Sequence, residues 1–253
     1  MDEPPIETIE VEDARVVLRR TAGAAPTVLF LPGLRSDMEG AKALWLERHC
    51  RQQGRGFVRF DYRGHGRSAG RFADHTLSDW LADTLAVLDR VVEGPALLVG
   101  SSMGGWLMLL AALARPERVV GLVGVAAAPD FTEEQMWARA TPEQQAALRA
   151  HGILHVPSPY GPPLPVTRRL IEDGRRHLLL GGPIRIRCPV HLLHGQADPD
   201  VPWQTALRLA ARLESTAVTV ELVKDGDHRL SRDADLRRLA AAVDRVAALA
   251  SGA

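Results

Sequence analysis

Two cysteines, no excess of either charge and no long apolar run are what this 253-residue chain first presents. Cys50 and Cys188 are too few and too far apart for a disulfide framework or a zinc site. Both are expected to be structural thiols in a reducing compartment, with the cytoplasm as the default location. Lys plus Arg and Asp plus Glu each number 31, so no bulk electrostatic attraction favours nucleic acid or an anionic membrane. No apolar stretch approaches the ~20 residues that span a bilayer. The richest, Val119 to Val125, has only the length of a strand. The opening Met1-Asp2-Glu3-Pro4-Pro5 is acidic, unlike a secretory signal or an arginine-rich transit peptide. Internal repeats and low-complexity tracts are missing too.

What remains is the composition of a globular domain, 46% hydrophobic and 25% charged, expected to form one unit over residues 1–253. Short apolar runs alternate with helical patterns, which predicts an α/β fold with a mostly parallel central sheet and helices on both faces. Residues 6–20 alternate apolar and polar as an opening pair of strands. Further strands are expected at Val28–Leu31, Phe57–Phe60, Ala96–Gly100, Val119–Ala126, Val190–His194 and Val218–Leu222. Ser36 or Asp37 is expected to cap a helix running through Leu46 and closed by Gly54. Leu77, Leu81, Leu85, Leu88 and Val92 fall on one helical face. Met103–Ala114 reads as a helix, and Leu236, Leu239, Val243 and Val246 as the core face of a closing one. Between Pro129 and Pro189 the alternation breaks down. Capping-box spacing at Thr132/Gln135 and Thr141/Gln144 predicts short helices there and no strand, so residues 130–187 are expected to form an inserted helical cap.

The chemistry starts at Gly100-Ser101-Ser102-Met103-Gly104, a Gly-x-Ser-x-Gly pattern that follows a buried strand and opens a helix. That setting is the nucleophile turn of the α/β-hydrolase fold, in which the glycines relieve close contacts and the serine is held strained and exposed. The competing reading is a structural turn in which Ser102 merely caps the helix. A serine nucleophile needs a base and a group that orients the base, and this fold supplies them in the order Ser, acid, His. Asp198 follows a strand within His-Gly-x-x-Asp-x-x-Val-Pro and is the expected acid, with Asp200 as rival. His228 follows the last strand and is the expected base; of the other histidines, His65 and His194 also lie at carboxyl ends of strands but precede the acid. The backbone N–H groups of Leu34, after Pro32-Gly33, and of Met103 are expected to form the oxyanion hole.

Several segments sharpen this into a family resemblance. Leu31-Pro32-Gly33, Arg59-Phe60-Asp61-Tyr62-Arg63-Gly64, Val99 to Leu109 with Gly105-Trp106-Leu107, Leu193-His194-Gly195, Val201-Pro202-Trp203 and Asp227-His228-Arg229 carry it. Within the cap, Pro157-Ser158 and Tyr160 fit as well. The chain resembles the α/β-hydrolase-domain family typified by a mitochondrial palmitoyl-protein thioesterase and mycophenolic acid acyl-glucuronide esterase. The resemblance implies hydrolysis of thioesters of protein cysteines or of acyl glucuronides, with the triad on Ser102, Asp198 and His228. The missing transit peptide suggests a bacterial or cytosolic relative. The proline-rich Gly161–Pro165 departs from the family where the cap shapes the substrate pocket.

The expected function is therefore a serine hydrolase that cleaves carboxylic ester or thioester bonds through an acyl-serine intermediate, without metal or cofactor. Its partner would be a small-molecule or acylated-protein substrate; the oligomeric state is not readable. A small-ester carboxylesterase, a carbon–carbon bond hydrolase on the same triad, and a non-catalytic protein holding a small ligand are the alternatives. Leu34, Trp106, Met136, Trp137, Tyr160 and Trp203 are candidate pocket walls, each with core or cap packing as the competing reading. Arg139, Arg168, Arg169, Arg175 and Arg176 read as solvated cap surface, with carboxylate recognition as the alternative.

Overall fold

The alternating residues at the start of the chain form an antiparallel hairpin of β1 (Glu7–Val11) and β2 (Ala14–Thr21). The computed structural model describes residues 3–158 and 161–252. After the hairpin come β3 (Ala24–Leu31), α1 (Ala41–Gln52), β4 (Arg55–Asp61), α2 (Leu77–Arg90), β5 (Ala96–Ser101), α3 (Met103–Ala114) and β6 (Val119–Val125). Following an insertion, β9 (Val190–Gly195), α6 (Gln204–Arg212), β10 (Val218–Val223) and α7 (Asp233–Ala250) complete the chain. The main sheet has the order β1-β2-β4-β3-β5-β6-β9-β10; only the pairings of β2 with β1 and β4 are antiparallel. This is the α/β-hydrolase fold.

Uncharged β5 lies near the middle of the sheet because both of its faces are covered. Ala96 and Leu98 join the core that Leu77, Trp80, Met103 and Trp106 build from α2 and α3. Leu97 and Val99 join the opposite core, with Leu46 of α1 and Val243 of α7. Alternation along one strand thus feeds two hydrophobic layers. All the parallel strands point the same way, so their carboxyl-terminal loops gather along one edge.

Two local expectations are corrected. The first helix does not start at Ser36 or Asp37 but at Ala41, with Gly40 at its N-cap. The reason is tertiary: the Met38 N–H donates to the buried carboxylate of Asp61 at 2.7 Å, and Asp37 accepts from the Glu39 N–H at 2.9 Å, which holds 36–40 as turns. At Thr132 no capping box forms. Residues Thr132–Trp137 wind as a π-helical turn with no side-chain cap. Thr132 is fully buried against Gly174, where even a Cβ would come within 2.1 Å of its hydroxyl, so the hydroxyl faces a neighbour rather than its own backbone.

The insertion between β6 and β9 contains α4 (Pro142–His151), β7 (Ile153–Ser158), β8 (Gly161–Thr167) and α5 (Arg168–Gly174). Thr141 and Gln144 make the reciprocal capping bonds at the start of α4. The hairpin β7–β8 corrects the expectation of an all-helical segment. Prolines 162, 163 and 165 cannot continue a helix but suit an extended strand at an edge. Pairing Leu154 with Val166 and Val156 with Leu164 turns these apolar side chains inward. Polar tethers fix the insertion over the sheet edge. The Asp173 carboxylate accepts from the Ser78 N–H and hydroxyl, both at 2.8 Å; within the insertion, Asp130 near its start accepts from the N–H groups of Leu179 and Leu180 near its end, at 2.8 and 2.9 Å, and closes the segment on itself. Arg35 donates to the carbonyls of Pro162 and Pro163 at 2.8 and 3.1 Å. No helix among the described residues is long and apolar enough to cross a membrane.

Arg63 and Asp83 are both almost fully buried, joined at 2.8 and 2.9 Å by side-chain contacts, with the Arg63 N–H adding a third at 2.8 Å. Removing one partner of such a pair strands the other charge in a low-dielectric interior. Asp83→Ala is therefore expected to lower stability by about 3–5 kcal/mol, measured by urea denaturation. A loss below about 1 kcal/mol would show that water or Glu12 compensates Arg63 fully.

Candidate active site

Ser102 stands where β5 ends and α3 begins, with φ 54° and ψ −118°, a backbone geometry that side chains rarely adopt. Packing imposes it. At Gly104 a Cβ would lie 2.0 Å from the Leu31 carbonyl oxygen, and at Gly100 one would lie 2.3 Å from the Gly104 carbonyl oxygen. Only glycine at both positions lets α3 start hard against β3 and β5, and the turn between them must be sharp. The Ser102 N–H is tied to the Val125 carbonyl at 2.9 Å, and its carbonyl accepts from Gly105 and Ala128 at 2.9 and 3.1 Å. The strained residue is thus held from three sides while its hydroxyl stays free to face the cavity.

The loops after β9 and β10 bring Asp198 and His228 to it. His228 Nε2 lies 3.1 Å from Ser102 Oγ, and its Nδ1 lies 2.8 Å from Asp198 Oδ2. Asp198 Oδ1 accepts from the N–H groups of Asp200 and Val201 at 2.8 and 2.9 Å. The expected rival, Asp200, contributes a backbone donor to this turn. Burial opposes ionisation of Asp198, but donors from His194 and His228, the charge of His228 and the Val201 N–H outweigh it and hold the carboxyl far below the usual range. Such a chain of hydrogen bonds can draw a proton from Oγ to Nε2 while the carboxylate balances the imidazolium.

His194, at the end of β9, is the contributor that sequence reasoning left unassigned. Its ring is 1% exposed, and Nε2 lies 3.2 Å from Asp198 Oδ2 and 3.1 Å from the Val201 carbonyl. A carbonyl only accepts, so Nε2 carries the proton and also faces the carboxylate as a donor. The four-residue spacing of His194 and Asp198 across the turn was the signal that could have found it. His65 has a different fate. It is buried among Tyr62, Phe72 and Trp80, and burial pushes it down to about 4, so it is neutral near pH 7.

Asp198, Asp200 and His228 also offer three ligand atoms within 4.8 Å of one another. Four donors already occupy the two Asp198 oxygens, and Asp198 and Ser102 occupy both His228 nitrogens, so the set is committed to hydrogen bonding.

Ser102 and His228 open into a cavity of about 800 Å³ that Leu34 and Met103 also line. Among the described residues nothing accepts a hydrogen bond from either the Leu34 or the Met103 N–H. The cavity has two unlike ends. Met136, Trp137, Leu148, Val156, Leu164 and Ile171 form an apolar vault under the insertion. Arg35, Asp37, Lys42 and Arg229 come from outside the insertion, and the exposed Asp37 and Arg229 mark a polar mouth; the insertion adds the polar Gln135, Arg139 and Gln144 to the lining. Lys42 donates to the Arg229 carbonyl at 2.5 Å; burial, then the charge of Arg229, pushes it down to about 8. Two expected walls are corrected. Trp106 is fully buried in the core and does not line the cavity, because its indole N–H donates to the His177 carbonyl at 3.0 Å and its ring packs edge-on with Phe131. Trp203 is half-buried at the start of α6 and does not line the cavity. Tyr160 lies outside the described residues. Of the cap arginines only Arg139 lines the cavity.

The ionised form of Asp198 is the one the fold favours. Its contribution to stability is complete above the ordinary carboxylate value of ~3.9 and fades as pH falls toward the lower folded value. The stability difference between wild type and Asp198→Asn is expected to be constant above about pH 5 and to shrink below it, followed by denaturant titration at each pH. A difference that stays level into the acid range would contradict the depressed value.

Comparison with known proteins gives the same picture from another direction. Residues 24–172 match the family described as serine aminopeptidase, S33. The mitochondrial palmitoyl-protein thioesterase ABHD10 of Mus musculus is 43% identical over 228 residues, 89% of this chain and 76% of that one. The solved structure of mouse alpha/beta hydrolase domain-containing protein 10 superposes with a TM-score of 0.89 at 39% identity, covering 96% of this chain and 98% of that one. A crystal structure from Agrobacterium vitis gives a TM-score of 0.91 at 42% identity, covering 96% and 99%.

Proposed function

The chain belongs to the α/β-hydrolase family that includes the ABHD10 thioesterases, and from that premise we propose that Ser102, His228 and Asp198 hydrolyse thioesters and esters of medium to long acyl chains. The family makes it a serine hydrolase acting on ester and thioester bonds. The observation that carries the substrate reading is the division of the cavity into an apolar vault and a polar mouth. An acyl chain belongs in the vault, because each methylene taken from water is worth ~0.8 kcal/mol there. The leaving group then lies at the mouth, where the thiol of an acylated protein cysteine or a small molecule meets solvent.

In the mechanism we propose, His228 takes the Ser102 proton as Oγ attacks the acyl carbon. Asp198 holds the imidazole in the tautomer that leaves Nε2 free to accept, and balances its charge once protonated. The Leu34 and Met103 N–H groups receive the oxyanion, each donor worth about 10²–10³ in rate. Collapse expels the thiol or the alcohol, which takes the proton from His228 and leaves the imidazole neutral again. Water activated by His228 then releases the acid from the acyl-Ser102 intermediate. The 3.1 Å from His228 Nε2 to Ser102 Oγ and the 2.8 Å from Nδ1 to Asp198 Oδ2 support the proton transfer in this reading.

We assign His194 a positioning role: its second donor to Asp198 Oδ2 fixes the plane of the carboxylate. For the compartment we propose a reducing one, the cytoplasm, on the two free thiols, which burial pushes up to about 12 for Cys50 and about 11 for Cys188. The word mitochondrial in the relatives' names describes those proteins.

Ser102→Ala is expected to lower turnover of p-nitrophenyl esters and a palmitoyl thioester by ~10⁴-fold or more while the melting temperature stays near wild type. Retained turnover would overturn the mechanism. Across a p-nitrophenyl ester series, kcat/KM is expected to rise about fourfold per added methylene until the vault is full. Activity confined to the acetate would move the reading to a small-ester carboxylesterase. For His194→Ala the expectation is a kcat about tenfold lower with KM little changed. A rise in KM at constant kcat would instead mean that His194 only supports the cavity wall.

A further inference from the structure

On its outer face the insertion carries a second cleft, of about 360 Å³, that the chemistry above does not use. Arg149 from α4, Arg168 and Glu172 from α5, and Arg175 just after α5 line it, with Trp137 and Ile171 as its apolar walls. Two of the guanidiniums are stacked on one indole: Arg149 lies 4.8 Å and Arg175 5.0 Å from the centre of the Trp137 ring. Stacking holds a guanidinium by its face and leaves its N–H edges for a ligand. The partners present use only part of that capacity. Arg149 reaches the Gln145 side-chain oxygen at 3.5 Å, and Arg168 the Arg149 carbonyl at 3.3 Å and Glu172 at 3.5 Å. Arg175 spends one edge on Glu133, at 2.7 and 3.4 Å. With five donors on each guanidinium, several are left over from these bonds on side chains that line the same small space. Three cations face one acid on the cleft wall and one behind it.

We propose that this cleft binds the phosphoryl group of a phosphate monoester and acts as an effector site on the hydrolase. A phosphoryl group carries nearly two negative charges near pH 7 and three acceptor oxygens, which matches a cleft lined by three guanidiniums better than a carboxylate does. The cleft is larger than a bare phosphate requires, and Trp137 and Ile171 offer a surface to the organic remainder. The same two residues also line the catalytic cavity, so one indole and one isoleucine separate the effector from the vault. A ligand that draws Arg149 and Arg175 into new hydrogen bonds changes what holds Trp137, and with it the space for an acyl chain. This second step, the effect on catalysis, rests on the acyl reading of the vault; the binding step does not.

The test is calorimetric titration of the full chain with inorganic phosphate, with chloride at matched ionic strength and acetate as parallel arms. The expected result is saturable phosphate binding that weakens about tenfold or more in Arg149→Ala/Arg168→Ala. Should that variant melt abnormally, Arg149→Gln is the substitute, since it keeps the stem and removes the charge. No saturable response to phosphate, an unaltered affinity in the variants, or acetate binding as tightly as phosphate would each overturn the site. Phosphate is then expected to change KM for long-chain p-nitrophenyl esters and not for the acetate. Binding with no change at any chain length would keep the site and overturn its link to the vault. Loss of the chain-length preference itself, in phosphate-free enzyme, would instead count against the acyl reading.

Discussion

Between the carbonyl of Leu31 and the Cα of Gly104 there is no room for a methyl group. That contact presses the first turn of α3 against the end of β3, and the same requirement recurs between Gly100 and Gly104. The chain can satisfy both only by reversing sharply at Ser102, which is why a serine holds a positive φ that would be unfavourable elsewhere. Its strain is offset by hydrogen bonds on both sides of the residue and by the buried packing of α3. Everything at the site is arranged around the point this reversal defines. The Met103 N–H belongs to the same turn, and Leu34 follows the strand that the turn is pressed against.

Asp198 is the second fixed point, and it depends on polar contacts rather than close packing. A buried carboxylate is unfavourable unless its lone pairs are filled. Here four donors fill them, two from the backbone of its own loop and two from histidines. His194 approaches from the strand before the loop and His228 from the strand beyond. The carboxylate therefore joins the ends of neighbouring strands, β9 and β10, and the orientation of His228 is a property of their packing.

The insertion plays a different part. Its hairpin and short helices are held over the site by separate polar tethers, Asp173 to Ser78 and Arg35 to the Pro162 and Pro163 carbonyls, while Asp130 closes its two ends on each other through the Leu179 and Leu180 backbone. Arg35 adjoins Leu34, so the same loop that presents an N–H to the cavity also holds the cover over it. A roof assembled this way can vary its apolar lining without disturbing the sheet beneath, which separates the lining of the cavity from the geometry at Ser102.

What the sequence alone determined was whatever depends on near neighbours in the chain. Uncharged runs such as Ala96–Gly100 could only be covered strands, the glycines around Ser102 marked the turn, and the order Ser102, Asp198, His228 followed from the loops after successive strands. The capping pair Thr141/Gln144 was legible for the same reason. Tertiary structure decided the rest, because it depends on surfaces brought together from distant segments. Whether Trp106 or Trp137 faces the cavity was set by the seating of Trp106 against Phe131 and the His177 carbonyl, and both look alike in a list of aromatics. The start of α1 was set by a carboxylate on Asp61, 23 residues from the N–H it binds. The β7–β8 strands were hidden by prolines that break helices without announcing a partner. The donor from His194 and the placing of Arg149 and Arg175 over one indole, with Arg168 in the same cleft, likewise exist only once the strands and the insertion have met.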